Sequence, residues 1–152
     1  MAFYTCSIAG ATASTSNDTR ALVTTATGAG SVIAVHHLFL AGEAGSSTVV
    51  RFGLNRPGTA GITPGSAQTP EKMNPASVAA AFSVPTTWGT QPVLSTNDVL
   101  QPTFNAFGGV YKFDAIPGME LIVGTQGAIA NLSLRSRSGT PTFSGHFIVE
   151  EK

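Results

Sequence analysis

Apolar and polar residues alternate most regularly near the end of the chain. Phe143, Gly145, Phe147 and Val149 fall on one side of an extended segment, and Ser144, His146, Ile148 and Glu150 on the other, because successive strand side chains point to opposite faces. One face therefore belongs to a core. The segment before it sets Ile129, Leu132 and Leu134 against Asn131, Ser133 and Arg135, with Ala128 and Ala130 blurring the phase. Across Gly108 to Lys152 the pattern predicts four short strands, separated at Ile116-Pro117-Gly118, Gly124-Thr125-Gln126-Gly127 and Ser138-Gly139-Thr140-Pro141. These runs are β-branched and aromatic, and too short for helices. Half-buried strands of this kind need a second layer, which points to a sandwich or barrel.

Earlier in the chain, Phe3 to Ala9 reads as a strand, followed by a small polar tract from Gly10 to Asn17 that is expected to lie as an extended arm. Arg20 to Thr27 is a second strand, closed by Gly28-Ala29-Gly30. Val32 to Leu40 is apolar on both faces, the mark of a central strand covered on both sides. Thr48 to Asn55 follows after Ala41-Gly42-Glu43-Ala44-Gly45, and a hairpin between these two is the simplest expectation.

From Arg56 to Pro92 the pattern gives way to dense Pro and Gly punctuation, with no helical or strict strand period. Recurring Pro predicts an extended path held against a surface. Ala79 to Val84 is a candidate short strand, Ser95 to Asp98 a turn, and Thr103 to Phe107 leads into the final block. Ser77 to Phe82 lies between Pro75 and Pro85 without a capping pattern, which argues against a helix. The sum is about nine or ten strands with loop insertions, the count of a jelly roll or related sandwich. The chain thus reads as one all-β domain over residues 1–152, a jelly-roll-like β-sandwich. It carries an N-terminal strand and arm over 1–17 and a long loop insertion over 56–92.

Composition narrows the function. Only 11% of the 152 residues are charged and the net charge is zero. The densest basic cluster is Arg135-Ser-Arg137, so direct nucleic-acid binding has no electrostatic footprint. So few charges fit a chain whose surface is partly hidden in an assembly. Cys6 is the sole cysteine, which excludes an intrachain disulfide. The first residues have neither the basic region nor the apolar stretch of a signal peptide, and no run is long enough to span a membrane. Folding in a reducing cytoplasm is the expectation.

No chemistry-bearing constellation emerges. Asp18, Asp98 and Asp114 lie beside turns or strand ends, where Asp serves local hydrogen bonds. His36 and His37 are adjacent, so on a regular strand they face opposite sides and cannot share a metal; His146 is a third, distant histidine. There is no Gly-x-Ser-x-Gly elbow and no phosphate-loop lysine near Gly58-Thr-Ala-Gly61. Cys6 sits on an apolar strand and reads as a buried, inert thiol. Asn131-Leu-Ser133 matches a glycosylation acceptor but falls within a predicted strand. Catalytic residues, metal ligands and cofactors are accordingly not expected. Trp88, Tyr4 and Tyr111 are the aromatics that a sugar-binding sandwich would use.

The order of several motifs carries a resemblance. A strand ending Leu54-Asn-Arg-Pro57 precedes Gly58-Thr-Ala-Gly61, Thr63-Pro64 and Lys72-Met-Asn-Pro-Ala-Ser77. Trp88, Gln91-Pro92, the Ile116-Pro-Gly118 turn and a closing aromatic strand ending Glu150-Glu151 follow. Together these resemble the jelly-roll head decoration, or cement, proteins of tailed bacteriophages. The resemblance implies a non-enzymatic virion protein on the capsid surface, a homotrimer bound to the major capsid protein. The segments expected to make contact are Ala2 to Asn17 and Arg56 to Pro92, with Phe3, Tyr4, Arg56, Pro57, Lys72, Asn74, Pro75 and Trp88 as candidate contact residues. Removing residues 1–17 is expected to weaken capsid binding and leave the fold intact. The rival expectation is a carbohydrate- or receptor-binding sandwich of a phage tail fibre or baseplate.

Overall fold

The structure, a computed structural model, describes residues 1–23, 32–57, 63–124 and 131–152. Every regular element among them is a strand. The first four are β1 (Ala2–Thr12), β2 (Arg20–Val23), β3 (Ile33–Glu43) and β4 (Val49–Asn55). Short pieces follow: β5 (Thr63–Pro64), β6 (Ala67–Gln68), β7 (Glu71–Lys72), β8 (Val84–Pro85) and β9 (Trp88–Thr90). The rest are β10 (Asp98–Leu100), β11 (Thr103–Asn105), β12 (Phe107–Asp114), β13 (Leu121–Val123), β14 (Asn131–Ser138) and β15 (Thr142–Glu151). The turns expected at 28–30 and 125–127, the end of the second expected strand at 24–27, and the segments 58–61 and 128–130 lie outside the described residues.

Two antiparallel sheets form the sandwich. The first runs β12-β3-β15-β1-β7, with β13 beside β3 beyond the end of β12. The second runs β10-β4-β14-β2, with β11 continuing the β10 side of β4. Of the eight strands that build the sandwich, β1, β3, β12 and β15 lie in the first sheet, and β2, β4, β10 and β14 in the second. The chain crosses between sheets at every step but the one from β4 to β10, which pair within the second sheet, and this is the jelly-roll connection scheme. It corrects one expectation. β3 and β4 do not form a hairpin, because the chain between Glu43 and Val49 passes from one sheet to the other. β3 is nonetheless central in strand order, flanked by β15 and β12, but it is not covered on both sides as expected: His36, His37, Phe39 and Ala41 are only half-buried.

The interior follows from the alternation. Phe143, Phe147 and Val149 of β15, Tyr4, Cys6 and Ile8 of β1, and Leu38 and Leu40 of β3 face Phe52 and Leu54 of β4 and Leu132 and Leu134 of β14. Phe52 packs on Phe143 at 4.7 Å and on Phe104 at 5.7 Å between ring centroids. Each large side chain buried this way contributes roughly 1.5–3 kcal/mol.

The strand expected over Phe3 to Ala9 is present and runs on into the segment expected to be an arm: Gly10 to Thr12 belong to β1, whereas residues 13–17 lie outside any strand. β1 pairs along its whole length with β15, from Ala2 against Glu151 to Thr12 against Thr142, with a bulge between Ile8 and Ala11. Its small residues from Gly10 onward did not preclude pairing, because β15 supplies an edge to dock on. Beyond it, Ala13 donates its N–H to Pro141 O at 2.8 Å.

The long insertion, residues 56–97, is held against the sandwich itself. β7 adds to the outer edge of β1, and Ser83 exchanges two 2.9 Å backbone hydrogen bonds with Val23 at the outer edge of β2. Phe82 and Val84 are buried, and the Tyr4 hydroxyl donates to Val78 O at 3.0 Å. The return path then crosses the outer face of the second sheet: Gln91 accepts the Asp18 N–H, and Pro92 accepts a hydrogen bond from Arg135. One side and one face of the sandwich are thus closed by the chain's own insertion.

Candidate interaction surfaces

The outer face of the first sheet stays open. Near its β1 end an open depression of about 450 Å³ is lined by Met1, Phe3, Met73, Asn74, Ser77 and Ile148. Phe3 points outward because its neighbours Tyr4, Cys6 and Ile8 take the inward positions, with a bulge after them. β7 brings Lys72 opposite Tyr4, and Met73 N–H donates to Phe3 O at 3.0 Å. Asn74 organises the following turn: its side-chain oxygen accepts the Ala76 N–H and its carbonyl the Ser77 N–H. Two of the residues singled out in the sequence, Phe3 and Asn74, therefore meet in this depression; Lys72 and Pro75 are their neighbours in the chain, Lys72 on the side of the sheet that Tyr4 takes. Met73 and Ile148 were missed there. The outward parity of Ile148 in its strand was the available signal.

The other candidates lie elsewhere. Tyr4 is a core residue, fully buried and edge-on to Phe82 at 5.5 Å, which removes it as a contact residue. Its place in the strand puts it on the inward side. Arg56 is exposed at the end of β4 and donates to Ile122 O at 3.0 Å, with Pro57 beside it. Trp88 is half-buried on β9, and its indole N–H is enclosed without an acceptor among the described residues.

A row of histidines crosses the same open face. The pairing of β3 with β15 is irregular at His36, where Ile148 sits opposite His37 and Val149 opposite Val35. An extra residue of this kind turns two consecutive side chains toward one side. His36 accordingly reaches Glu150 at 2.9 Å and the Phe3 ring at 5.5 Å, while His37 reaches Asp114 at 2.5 Å and stacks on His146 at 5.1 Å. The expectation that His36 and His37 face opposite sides held only for a regular strand, and the bulge overturns it. Burial, and then the charge of His37, push the His146 imidazole below its ordinary value. Lys112 first, and then His37, hold the Asp114 carboxyl low. Among the described residues no three His, Cys, Asp or Glu side chains converge as a metal site.

Three charged or amide side chains of the second sheet, Asn55, Arg135 and Arg137, are occupied internally. Arg137 grips Asp98 with two hydrogen bonds, and Asn55 holds Asp98, the Ser95 and Asn97 carbonyls and the Ser95 N–H. Arg135 donates to Asp18 at 2.7 Å. These pairs fasten the returning insertion.

A further open feature among the described residues is the free β12 edge of the first sheet. Phe107, Val110, Ile116 and Met119, each more than 60% exposed, lie along β12 and the turn after it. Comparison with protein-family models, with curated proteins and with solved structures found no match to this chain.

Proposed function

We propose that this chain is a non-enzymatic structural protein of a tailed-phage virion, binding the capsid exterior as a decoration protein, with the major capsid protein as its partner. It would be made in the host bacterial cytoplasm and end on the virion surface. The observation that carries this reading is the asymmetry of covering. The insertion occupies one side and the outer face of the second sheet, while the first sheet's outer face keeps an apolar depression around Phe3 and Met73 with Asn74 and Ser77 on its border. Exposed apolar side chains on a chain with few charges fit a protein that works by lying against another surface. Modest contacts suffice when several linked copies bind together, since linkage raises the effective concentration of each further site.

Binding of the purified chain to undecorated phage heads, followed by co-sedimentation and electron microscopy, tests this. Phe3→Ala combined with Met73→Ala should reduce occupancy at least about tenfold, a change of about 1.4 kcal/mol per site. Unchanged occupancy would overturn the assignment of this face.

The rival reading, a carbohydrate- or receptor-binding module, needs exposed aromatic platforms. Tyr4 is buried, and Trp88 and Tyr111 are half-buried on separate elements. Saturable glycan-array binding lost in Trp88→Ala would restore it.

A further inference from the structure

Among the described residues β12 has β3 as its only strand partner, so its other edge is unpaired. Ala115 donates its N–H to His36 O at 2.8 Å, continuing the register that sets Phe113 against Leu38 and Tyr111 against Leu40. Antiparallel hydrogen-bonded pairs alternate along a strand. It follows that Tyr111, Phe113 and Ala115 turn their main-chain groups toward β3, while Val110, Lys112 and Asp114 turn theirs to the open edge. The side chains of these three also stand on the outer face, and alternation places Ile116 next in the row. Val110 is 61% and Ile116 66% exposed, and the Lys112 and Asp114 side chains are 60% and 57% exposed.

Read outward, the edge is apolar, positive, negative, apolar. That order is its own complement when reversed. An antiparallel pairing centred on Phe113 sets Lys112 opposite Asp114 twice and Val110 opposite Ile116 twice, with the outward main-chain groups of Lys112 and Asp114 in hydrogen-bonding positions. Neighbouring registers fail. Centring on Lys112 opposes two lysines and centring on Asp114 two aspartates, while centring on Tyr111 leaves Asp114 facing Gly108. Like charges directly opposite are destabilising and opposite charges fix register. β12 carries no proline and no inward-pointing charge; of the other devices against such pairing, the edge lysine Lys112 is met by Asp114 in this register and the irregularity between Phe107 and Val110 lies at the end of the paired stretch.

We propose that two copies of this chain pair edge to edge through β12, antiparallel about a two-fold axis at Phe113, joining their first sheets into one continuous sheet. An isologous contact of this kind closes at two copies. The trimer implied by the resemblance needs a different, head-to-tail contact. Pairing through this edge does not depend on what the outer face binds, so failure on phage heads and failure to pair are separate results.

Native mass spectrometry and sedimentation velocity of the full chain provide the test. The expected mass is twice the 15.5 kDa of one chain. Lys112→Glu and Asp114→Lys should each weaken pairing at least about tenfold. Mixing the two variants should restore a two-chain species containing one of each, because one then carries two negative and the other two positive edge charges. Val110→Lys, at an exposed position, should also dissociate the pair, and circular dichroism confirms that each variant folds. A single-chain mass, a three-chain mass, or a two-chain mass indifferent to the charge reversals would overturn the proposal. So would reversed variants that fold but do not pair when mixed.

Discussion

Gly53 and Gly145 occupy positions where a side chain has no room, for different reasons. A Cβ at Gly145 would stand 2.1 Å from Phe39 O on the neighbouring strand, so Gly145→Ala must push β15 away from β3. A cost above about 2 kcal/mol is expected, read as a lower urea midpoint. A Cβ at Gly53 would instead meet the Arg137 and Asp98 side chains at 2.6 Å, so Gly53→Ala should displace that pair. Removing the guanidinium outright, in Arg137→Ala, leaves the enclosed Asp98 carboxylate unpaired and should cost about 3 kcal/mol.

Asp98 and Asp18 titrate in opposite senses. Burial pushes Asp98 upward, but the hydrogen bonds of Arg137 and Asn55 outweigh it and hold the carboxyl below its ordinary value. Its contribution is complete above the unfolded value of about 4 and is lost as pH falls through the lower folded value. For Asp18 burial prevails over Ser133 and Arg135 and raises the carboxyl. Its protonated form favours the fold, so that contribution is present below about pH 4 and lost as pH rises through the folded value. Urea midpoints measured against pH should therefore show a shallower acid slope in Asp98→Asn, with Asp114 still contributing, and lose the opposing slope above pH 4 in Asp18→Asn. The Cys6 thiol, pushed by burial up to about 12, should react with an aromatic disulfide reagent only when the chain is unfolded. Its inertness was legible from its apolar strand. The Arg137–Asp98 grip was not, because 39 residues separate its members in sequence.

Among the elements, the strands with strict alternation were the most legible. β15 and β4 lie where the hydrophobic period placed them, since a two-residue period exposes one face and buries the other whatever the topology, and β3 lies where its continuous apolar run placed it. Partnership was not legible. Nothing local to Val32–Leu40 and Thr48–Asn55 distinguishes a hairpin from a crossing between sheets, and the decision rests on which distant strands flank each. The first segment shows the same limit. β1 buries Tyr4, Cys6 and Ile8 and pairs with β15 to its end. Deleting residues 1–12 should consequently abolish cooperative unfolding, contrary to the expectation of an intact fold. The insertion, which had the composition of a loop, seals the same edge through Phe82. Phe82→Ala should cost about 3 kcal/mol, measured by denaturant unfolding.

For the whole molecule, function turns on which surfaces the fold leaves free. Two predicted contact residues, Phe3 and Asn74, gathered in the apolar depression because β7 docks on β1, whereas Arg56, Pro57 and Trp88 were carried to other places. If the outer face binds capsid and the β12 edge binds a second copy, the double Phe3, Met73 variant should lose head occupancy while keeping the two-chain mass, and Lys112→Glu should lose the mass first. Native mass spectrometry alongside head binding separates these outcomes.

The chain's own pattern determined the strand class, the inward and outward residues of the regular strands, the buried thiol and the low-charge surface, because each depends on local period or on composition alone. Only the tertiary structure decided the jelly-roll order, the docking of the first strand and the insertion, the shared face of His36 and His37, and which edge remains free. Those depend on contacts between residues far apart in sequence, where pairing choices that are equivalent locally differ in the core they bury.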